Sequence, residues 1–364
     1  MRGCPWLAIL VIALAPCASA QDEINLVVWK KVNMHGELED LASFGLLKET
    51  TCDAAGNIFT PANRKYGSAI SSILRIAPDA KSYKQFSIDP LPKLADGHIV
   101  EFALEANGDI YALARQVLKY SEVQVPIEFG EMFVVHFTTD GEAVAQIRLA
   151  LTANDFEPSG LAVLPRGGYL IVGSKRVADK VIVLAQLFHP DGKLLSKIDL
   201  GKEGTIASKQ GIVRSLRVLR PTAIKANGWI YVMRGTTAEP VYVLSETGQL
   251  KRTLVLKRPG LEFDSPHILK NDLLVHEHSP LPESKSGIVF RSGPERVNLP
   301  VFDLETGELS HEYYWHEETI GLACYSSRVS LTFIGQDVST FPSGWALFYA
   351  RPKTAITLEE DITR

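Results

Sequence analysis

The chain has 364 residues, of which 46% are apolar and 22% charged, so it can bury a full core and is not a wholly disordered polymer. Its 38 basic and 42 acidic residues leave a net charge of −4 with both signs mixed along the chain, which excludes the global basic footprint of a nucleic-acid binder. Four cysteines are too few for a disulfide scaffold.

Residues 1–20, MRGCPWLAILVIALAPCASA, place one Arg before an apolar run from Trp6 to Ala15 and end on Ala18-Ser19-Ala20. That is the pattern of a secretory signal peptide cleaved before Gln21. The apolar run is shorter than the roughly 20 residues a bilayer span needs. Leu14-Ala15-Pro16-Cys17 resembles a bacterial lipid-attachment motif, but Pro16 stands where a small residue belongs, so cleavage is preferred to an anchor at Cys17. No later segment is long and apolar enough to span a membrane, and the mature protein is expected to be secreted or periplasmic. Residues 21–43 form an N-terminal segment whose Leu26–Lys31 reads as a strand without an obvious partner. We expect it to pair along the edge of the last repeat and tie the chain ends together.

From residue 44 onward two landmarks recur. One is a Gly or Asn turn leading into an apolar strand, as in Gly56-Asn57-Ile58-Phe59, Gly108-Asp109-Ile110-Tyr111, Gly167-Gly168-Tyr169-Leu170 and Gly228-Trp229-Ile230-Tyr231. The other is a tight turn between strands: Pro78–Lys81, Thr139–Glu142, Pro190–Lys193, Glu246–Gln249 and Glu305–Glu308. Asp-Gly in such turns supplies the positive φ that a hairpin demands. Each repeat then holds two hairpins; in the second they are His98–Leu104 with Ile110–Ala114 and Phe133–Thr138 with Ala143–Leu149. Four strands in each of six repeats predict an all-β, single-domain, six-bladed β-propeller over residues 44–360. The approximate blades are 44–89, 97–150, 156–200, 215–257, 262–314 and 318–360. Asp53–Phe59 and Phe188–Lys193 resemble motifs of the NHL, TolB-like and SMP-30/gluconolactonase-like six-bladed propellers. The likeness is specific for fold and poor for function, because those families include scaffolds, binding proteins and hydrolases.

Alternating strand direction puts both short turns of a repeat on one face. The opposite face receives the longer segments Gln116–Glu131, Lys202–Arg217, His278–Asn298 and Gln336–Ser343, where binding groups ordinarily sit. First strands begin at that face with His98, Glu101, Glu157, Arg220, Asp264, His267 and Glu318. Second strands end there with Arg115, Arg176, Arg234 and His276. This mixed acidic and basic ring suits a small polar or anionic ligand, or a protein partner, since Arg pairs bidentately with carboxylates and phosphates. Solvated rim charges that pair with one another are the plain structural alternative.

If the resemblance to SMP-30-like hydrolases extends to mechanism, Glu101, Glu157, Asp264 and Glu318 are the carboxylates placed to hold Ca²⁺ or another divalent cation. The channel asparagines that such a site also uses have no counterpart in register. His276 and His278, two apart on one strand, face the same way and could ligate a metal with His267, His98 or Glu101. His311 and His316 read as surface or packing residues. There is no Gly-x-Ser-x-Gly, Walker-type loop, dinucleotide fingerprint or Cys-x-x-Cys, and no catalytic residue is assigned. Cys52 and Cys324 hold equivalent positions in neighbouring first and last repeats. Equivalent residues on successive blades point the same way round, so both are expected to be small buried residues rather than a disulfide. The sequence therefore predicts an exported propeller that binds a ligand or partner on its long-loop face, with a metal-assisted hydrolase or lactonase as the rival.

Overall fold

β-Branched and aromatic runs punctuated by Gly, Asn and Asp turns make strands of nearly every segment, because such side chains pack well on a pleated surface. The structure is a computed structural model; it describes residues 23–39, 41, 50–63, 69–122, 126–152, 156–177, 180–202, 221–233, 240–258, 263–277, 297–315, 321–337 and 344–353. The expected signal peptide lies outside them. Among the described residues no helix is long and apolar enough to cross a membrane.

The N-terminal segment forms β1 (Glu23–Asn33), and four antiparallel quartets follow it. The first comprises β2 (Thr51–Cys52), β3 (Ile58–Asn63), β4 (Ile70–Ile76) and β5 (Tyr83–Ser87). The second comprises β6 (His98–Leu104), β7 (Ile110–Tyr120), β8 (Pro126–Phe137) and β9 (Ala143–Thr152). The third is β10 (Glu157–Val163), β11 (Tyr169–Val177), β12 (Lys180–Phe188) and β13 (Leu194–Lys202). The fourth is β14 (Thr222–Ala226), β15 (Trp229–Met233), β16 (Pro240–Ser245) and β17 (Leu250–Val255). These four sheets are separate. The remaining strands are β18 (Phe263–Leu269), β19 (Asp272–Glu277), β20 (Val297–Asp303), β21 (Leu309–Trp315), β22 (Gly321–Ser327), β23 (Ser330–Asp337) and β24 (Gly344–Pro352). With β1 they make one eight-stranded sheet in the order β18-β19-β20-β21-β1-β24-β23-β22.

That large sheet is held together by the N-terminal strand. β1 runs antiparallel to β24 from Leu26 to Asn33, and parallel to β21 only over Glu23–Asn25. It therefore serves as the outer strand of the last antiparallel group, as its unpartnered apolar run predicted. Ala355–Leu358, read from sequence as a further outer strand, lies outside the described residues.

The sheets are arranged as a propeller. Their first strands neighbour one another in turn, β6 beside β10, β10 beside β14, β14 beside β18, β18 beside β22 and β22 beside β2. Between sheets lie six apolar clusters. Phe59, Phe86, Ile110 and Phe137 join the first and second quartets, and Met132, Leu149, Phe156 and Tyr169 the second and third. The series continues through Val172 with Ile230, Val243 with Leu273, and Trp315 with Phe333. It closes where Leu74 and Ile76 meet Ile334 and Leu347, last strands against first. Each sheet thus buries both faces against its neighbours, which is why strand interiors are apolar on both sides.

The expected hairpin turns form, with positive φ at Gly141, Gly192, Gly248 and Gly307. Two of them also dock on the preceding sheet. The Gly192 carbonyl accepts from Ala150 N and the Gly307 carbonyl from Lys257 N, each at 2.9 Å. A Cβ on Gly192 would lie 2.0 Å from the Arg148 carbonyl oxygen, so close approach as well as φ requires glycine there.

Two expectations are corrected. Gln116–Glu131 is not a loop, because β7 and β8 continue as an extended hairpin, pairing Val117 with Phe129, Lys119 with Glu128 and Tyr120 with Pro126. Its register slips near the tip, which is why strand alternation is hard to read there. Cys52 and Cys324 are bonded, with their Cα atoms 5.4 Å apart. The equivalence argument fails because β22 shifts register on both sides of Cys324, between Leu322 and Cys324 and again between Tyr325 and Ser327. A bulge re-aims the side chains around it, and Cys324 faces β2 instead of following the other repeats. Thr50 Oγ1, which donates to the Leu322 carbonyl at 2.9 Å, adds a polar tie across the same seam.

Candidate functional site

Strand alternation places the first residues of the inner strands, the ends of the second strands and the β7–β8 hairpin at one end of the propeller. Three of the residues predicted from sequence meet there. His98, first in β6, stands opposite Arg115 of β7, and Glu157, first in β10, comes from the next sheet. Arg115 Nη1 lies 3.1 Å from Glu157 Oε1 and donates to Oε2 at 3.3 Å. The guanidinium carbon sits 3.3 Å from the centroid of the Phe129 ring, which the extended hairpin carries over it. The His98 ring lies 6.1 Å from the same phenyl. The Arg115 side chain is only 9% exposed and that of Glu157 60%, so the cation is fixed and its carboxylate partner is half in water. Ile70 N donates to His98 Nδ1 at 3.2 Å, which leaves the ring proton on Nε2. Phe129 was missed from sequence because its segment read as a loop.

Behind this cluster runs the axial channel, a cavity of about 290 Å³. Strands β2, β6, β10, β14, β18 and β22 all contribute to its wall. Its polar groups include Glu101, Glu105, Thr222, Lys225 and His267. Register shifts recur on these strands, between Ile99 and Glu101, Pro158 and Gly160, Asp264 and His267, and Leu322 and Cys324. A bulge turns the residues after it away from the regular alternation, and that is how Glu101 and His267 come to line the axis. Glu101 Oε1 accepts from Phe102 N at 2.8 Å. Towards the short-turn end, Lys225 Nζ donates to Glu105 Oε2 at 3.0 Å, an ion pair between sheets two apart in the ring. Neither residue was singled out from sequence, since only ring geometry makes them neighbours.

No protein-family model matches the chain, those of the NHL, TolB-like and SMP-30 propellers included, and no curated protein matches it. Among solved structures it is similar to the endosialidase of phage phi92, with 11% identity and a TM-score of 0.48, over 89% of this chain and 69% of that one. It is also similar to the sialidase of Trypanosoma rangeli, with 11% identity and a TM-score of 0.46, over 88% of this chain and 57% of that one. The chain thus spans little more than half the length of the trypanosomal protein. Likenesses this distant carry no argument, and the propeller arrangement stands on the chain's own sheets and clusters.

The other predicted site residues are scattered in how far they can be placed. Asp264 pairs in register with His276, and Arg176 lies in β11 opposite Val181. The side chains of Asp264 and Arg176 are outside the described residues, as are Arg220, Arg234, His278, His316 and Glu318 altogether. Ser159 of β10 donates to the Pro221 carbonyl at 2.5 Å and ties β10 to the start of the fourth quartet. His311 is buried and packs edge-on against Tyr313, as a packing residue should. Among the described residues no three His, Cys, Asp or Glu side chains lie close enough together to hold a metal ion.

Electrostatics elsewhere on this end are carried by a network absent from the sequence reading. Arg258 binds Glu277 Oε2 through Nη2 at 2.6 Å and Glu312 Oε1 through Nη1 at 2.8 Å. Tyr314 donates to the second oxygen of Glu312 at 2.8 Å. All three charged side chains are largely buried, so this network locks the fourth quartet to the fifth group of strands.

Proposed function

We propose that the chain is a six-bladed β-propeller, the eight-stranded sheet counting as two blades, that binds a small anionic ligand at the long-connection end of its channel. Binding rather than catalysis is its role. The observation that carries this reading is Arg115, a buried guanidinium held flat against Phe129 whose counterion, Glu157, is mostly exposed. A fixed cation with a displaceable partner is suited to exchanging that partner for a ligand carboxylate or phosphate. Glu101 and His267 line the channel wall beside which the remainder of the ligand would lie.

The test exploits that competition. A calorimetric panel of sugar acids and dicarboxylates should find a ligand whose affinity rises in Glu157→Gln, where the internal competitor is neutral, and is lost in Arg115→Leu. A ligand indifferent to both substitutions would place binding elsewhere.

The rival reading is a divalent-metal-assisted hydrolase or lactonase using Glu101, Glu157, Asp264 and Glu318 to hold Ca²⁺ or a similar ion. In its favour stands the bulge that turns Glu101 into the channel wall. The described donors do not by themselves assemble a metal site. Metal analysis before and after chelation, with a hydrolase screen on Glu101→Gln and Asp264→Asn, separates the two readings. A stoichiometric ion and metal-dependent turnover abolished by both substitutions would replace the binding role.

A further inference from the structure

The end of the propeller that carries the short turns holds a second hollow. A cleft of about 580 Å³ opens between the β18–β19 and β22–β23 turns, lined by Leu269, Lys270, Asn271, Asp272 and Ser326–Arg328. That is the size range of small-molecule sites. Short turns leave little chain to shape a pocket; the exposed wall of this one is mostly apolar, and its polar groups come from Lys270, Asn271, Asp272, Ser326, Ser327 and Arg328.

Arg328 is the organising group. Its Nε and Nη2 donate to the two oxygens of Asp272 at 2.6 and 2.7 Å. Asp272 is 5% exposed, and its Oδ2 also accepts from the Tyr325 hydroxyl at 3.4 Å. The Arg328 carbonyl accepts from the buried Tyr313 hydroxyl at 2.6 Å, so backbone and side chain are both anchored. Yet the Arg328 side chain remains 63% exposed. Asp272 occupies one edge of the planar guanidinium. The second edge, formed by Nη1 and the outer hydrogen of Nη2, meets no partner among the described residues. Lys270 is exposed beside it with no ion pair among those residues, and Ser327 Oγ, accepting from Val329 N at 3.3 Å, keeps its proton to donate. The nearby carboxylate Glu305 is engaged by Asn271 Nδ2 at 3.3 Å.

We propose that this cleft is a second binding site, for a small molecule bearing a two-pronged oxyanion, either a carboxylate or a phosphate. The oxyanion pairs with the outer edge of Arg328, Lys270 neutralises its charge, and Ser327 donates a third hydrogen bond. Because Asp272 already immobilises the guanidinium, binding does not have to order it, which is the entropic term that weakens most surface arginine contacts.

The test is calorimetry of the full mature chain with inorganic phosphate and with succinate at low ionic strength. Arg328→Lys keeps a cation for the buried Asp272 but removes the second edge. Lys270→Asn suits a backbone at φ +53° and removes the other charge. Each is expected to weaken binding about tenfold, and Lys270→Asn, which leaves the Arg328–Asp272 pair intact, does so with the thermal transition unmoved. Phosphate binding without succinate binding identifies a phosphate ester as ligand, and the reverse a carboxylate. Binding of neither probe, or binding that both variants leave unchanged, overturns the proposal.

Discussion

Arg115 is the residue on which stability and the proposed recognition both turn. Its guanidinium is buried against an aromatic face, a contact worth about 0.5–2 kcal/mol, whereas its partner Glu157 is mostly exposed and contributes under about 1 kcal/mol. Phe129→Ala should therefore lower the urea midpoint more than Glu157→Gln does, with an unchanged slope in both; equal midpoints would mean that the ring does not support the cation. His98 and Glu157 could be placed at one end from the sequence because each opens an inner strand, whereas Arg115, expected at the end of its strand, lies inside β7, which runs on to Tyr120. Phe129 could not be placed, because no turn signal distinguishes a hairpin tip from a loop across 116–131. Glu105 and Lys225, 120 positions apart, were invisible because their contact depends on how far the ring turns between sheets, and no local pattern encodes that angle.

At the level of the strand, the repeat of hairpins was readable from its Asp-Gly and Asn-Gly turns, and β6 runs over the expected His98–Leu104. The bulges on the inner strands were not readable, and they decided two matters: the turning of Glu101 into the channel and the facing of Cys324 toward Cys52. The disulfide links residues 272 positions apart. Constraining so long a loop in the unfolded chain is worth about 2–5 kcal/mol, so the double variant Cys52→Ser, Cys324→Ser should lose that much stability in denaturant. Thiol counting on the denatured, unreduced chain spanning residues 21–364 should find none; two reactive thiols would show the bond does not form. β1 provides the second closure. Deleting residues 21–33 strips the outer strand from β24 and removes Leu26 from an interior cluster, so the thermal transition should fall well below that of the intact chain. A transition that does not move would mean that β1 adds nothing to the ring.

Across the molecule, the clusters between sheets bury tyrosine hydroxyls along with apolar surface. Tyr169, Tyr313 and Tyr349 are each pushed up to about 12 from an ordinary value near 10, first of all by burial, with Asp79 adding to the effect at Tyr349. Because the folded chain holds these protons more tightly than the unfolded chain, their contribution to stability is intact below pH 10 and declines as the pH climbs to about 12. An absorbance titration near 295 nm should then show these phenols ionising together with loss of the fold rather than at pH 10 within a native chain. Ionisation near pH 10 with circular dichroism unchanged would show that the inter-sheet packing is looser than described.

The position of β1 also constrains how the protein can be made. β1 leaves the ribosome some three hundred residues ahead of its main partner, β24, so its hydrogen-bonding edge toward that strand stays open through the synthesis of all that lies between. Truncation anywhere before β24 strands that edge permanently. The sulfur bridge at the same seam can form only when Cys324 has been delivered beside Cys52, so oxidation trails assembly and a faster-migrating band on a non-reducing gel would report, molecule by molecule, that the circle had been completed.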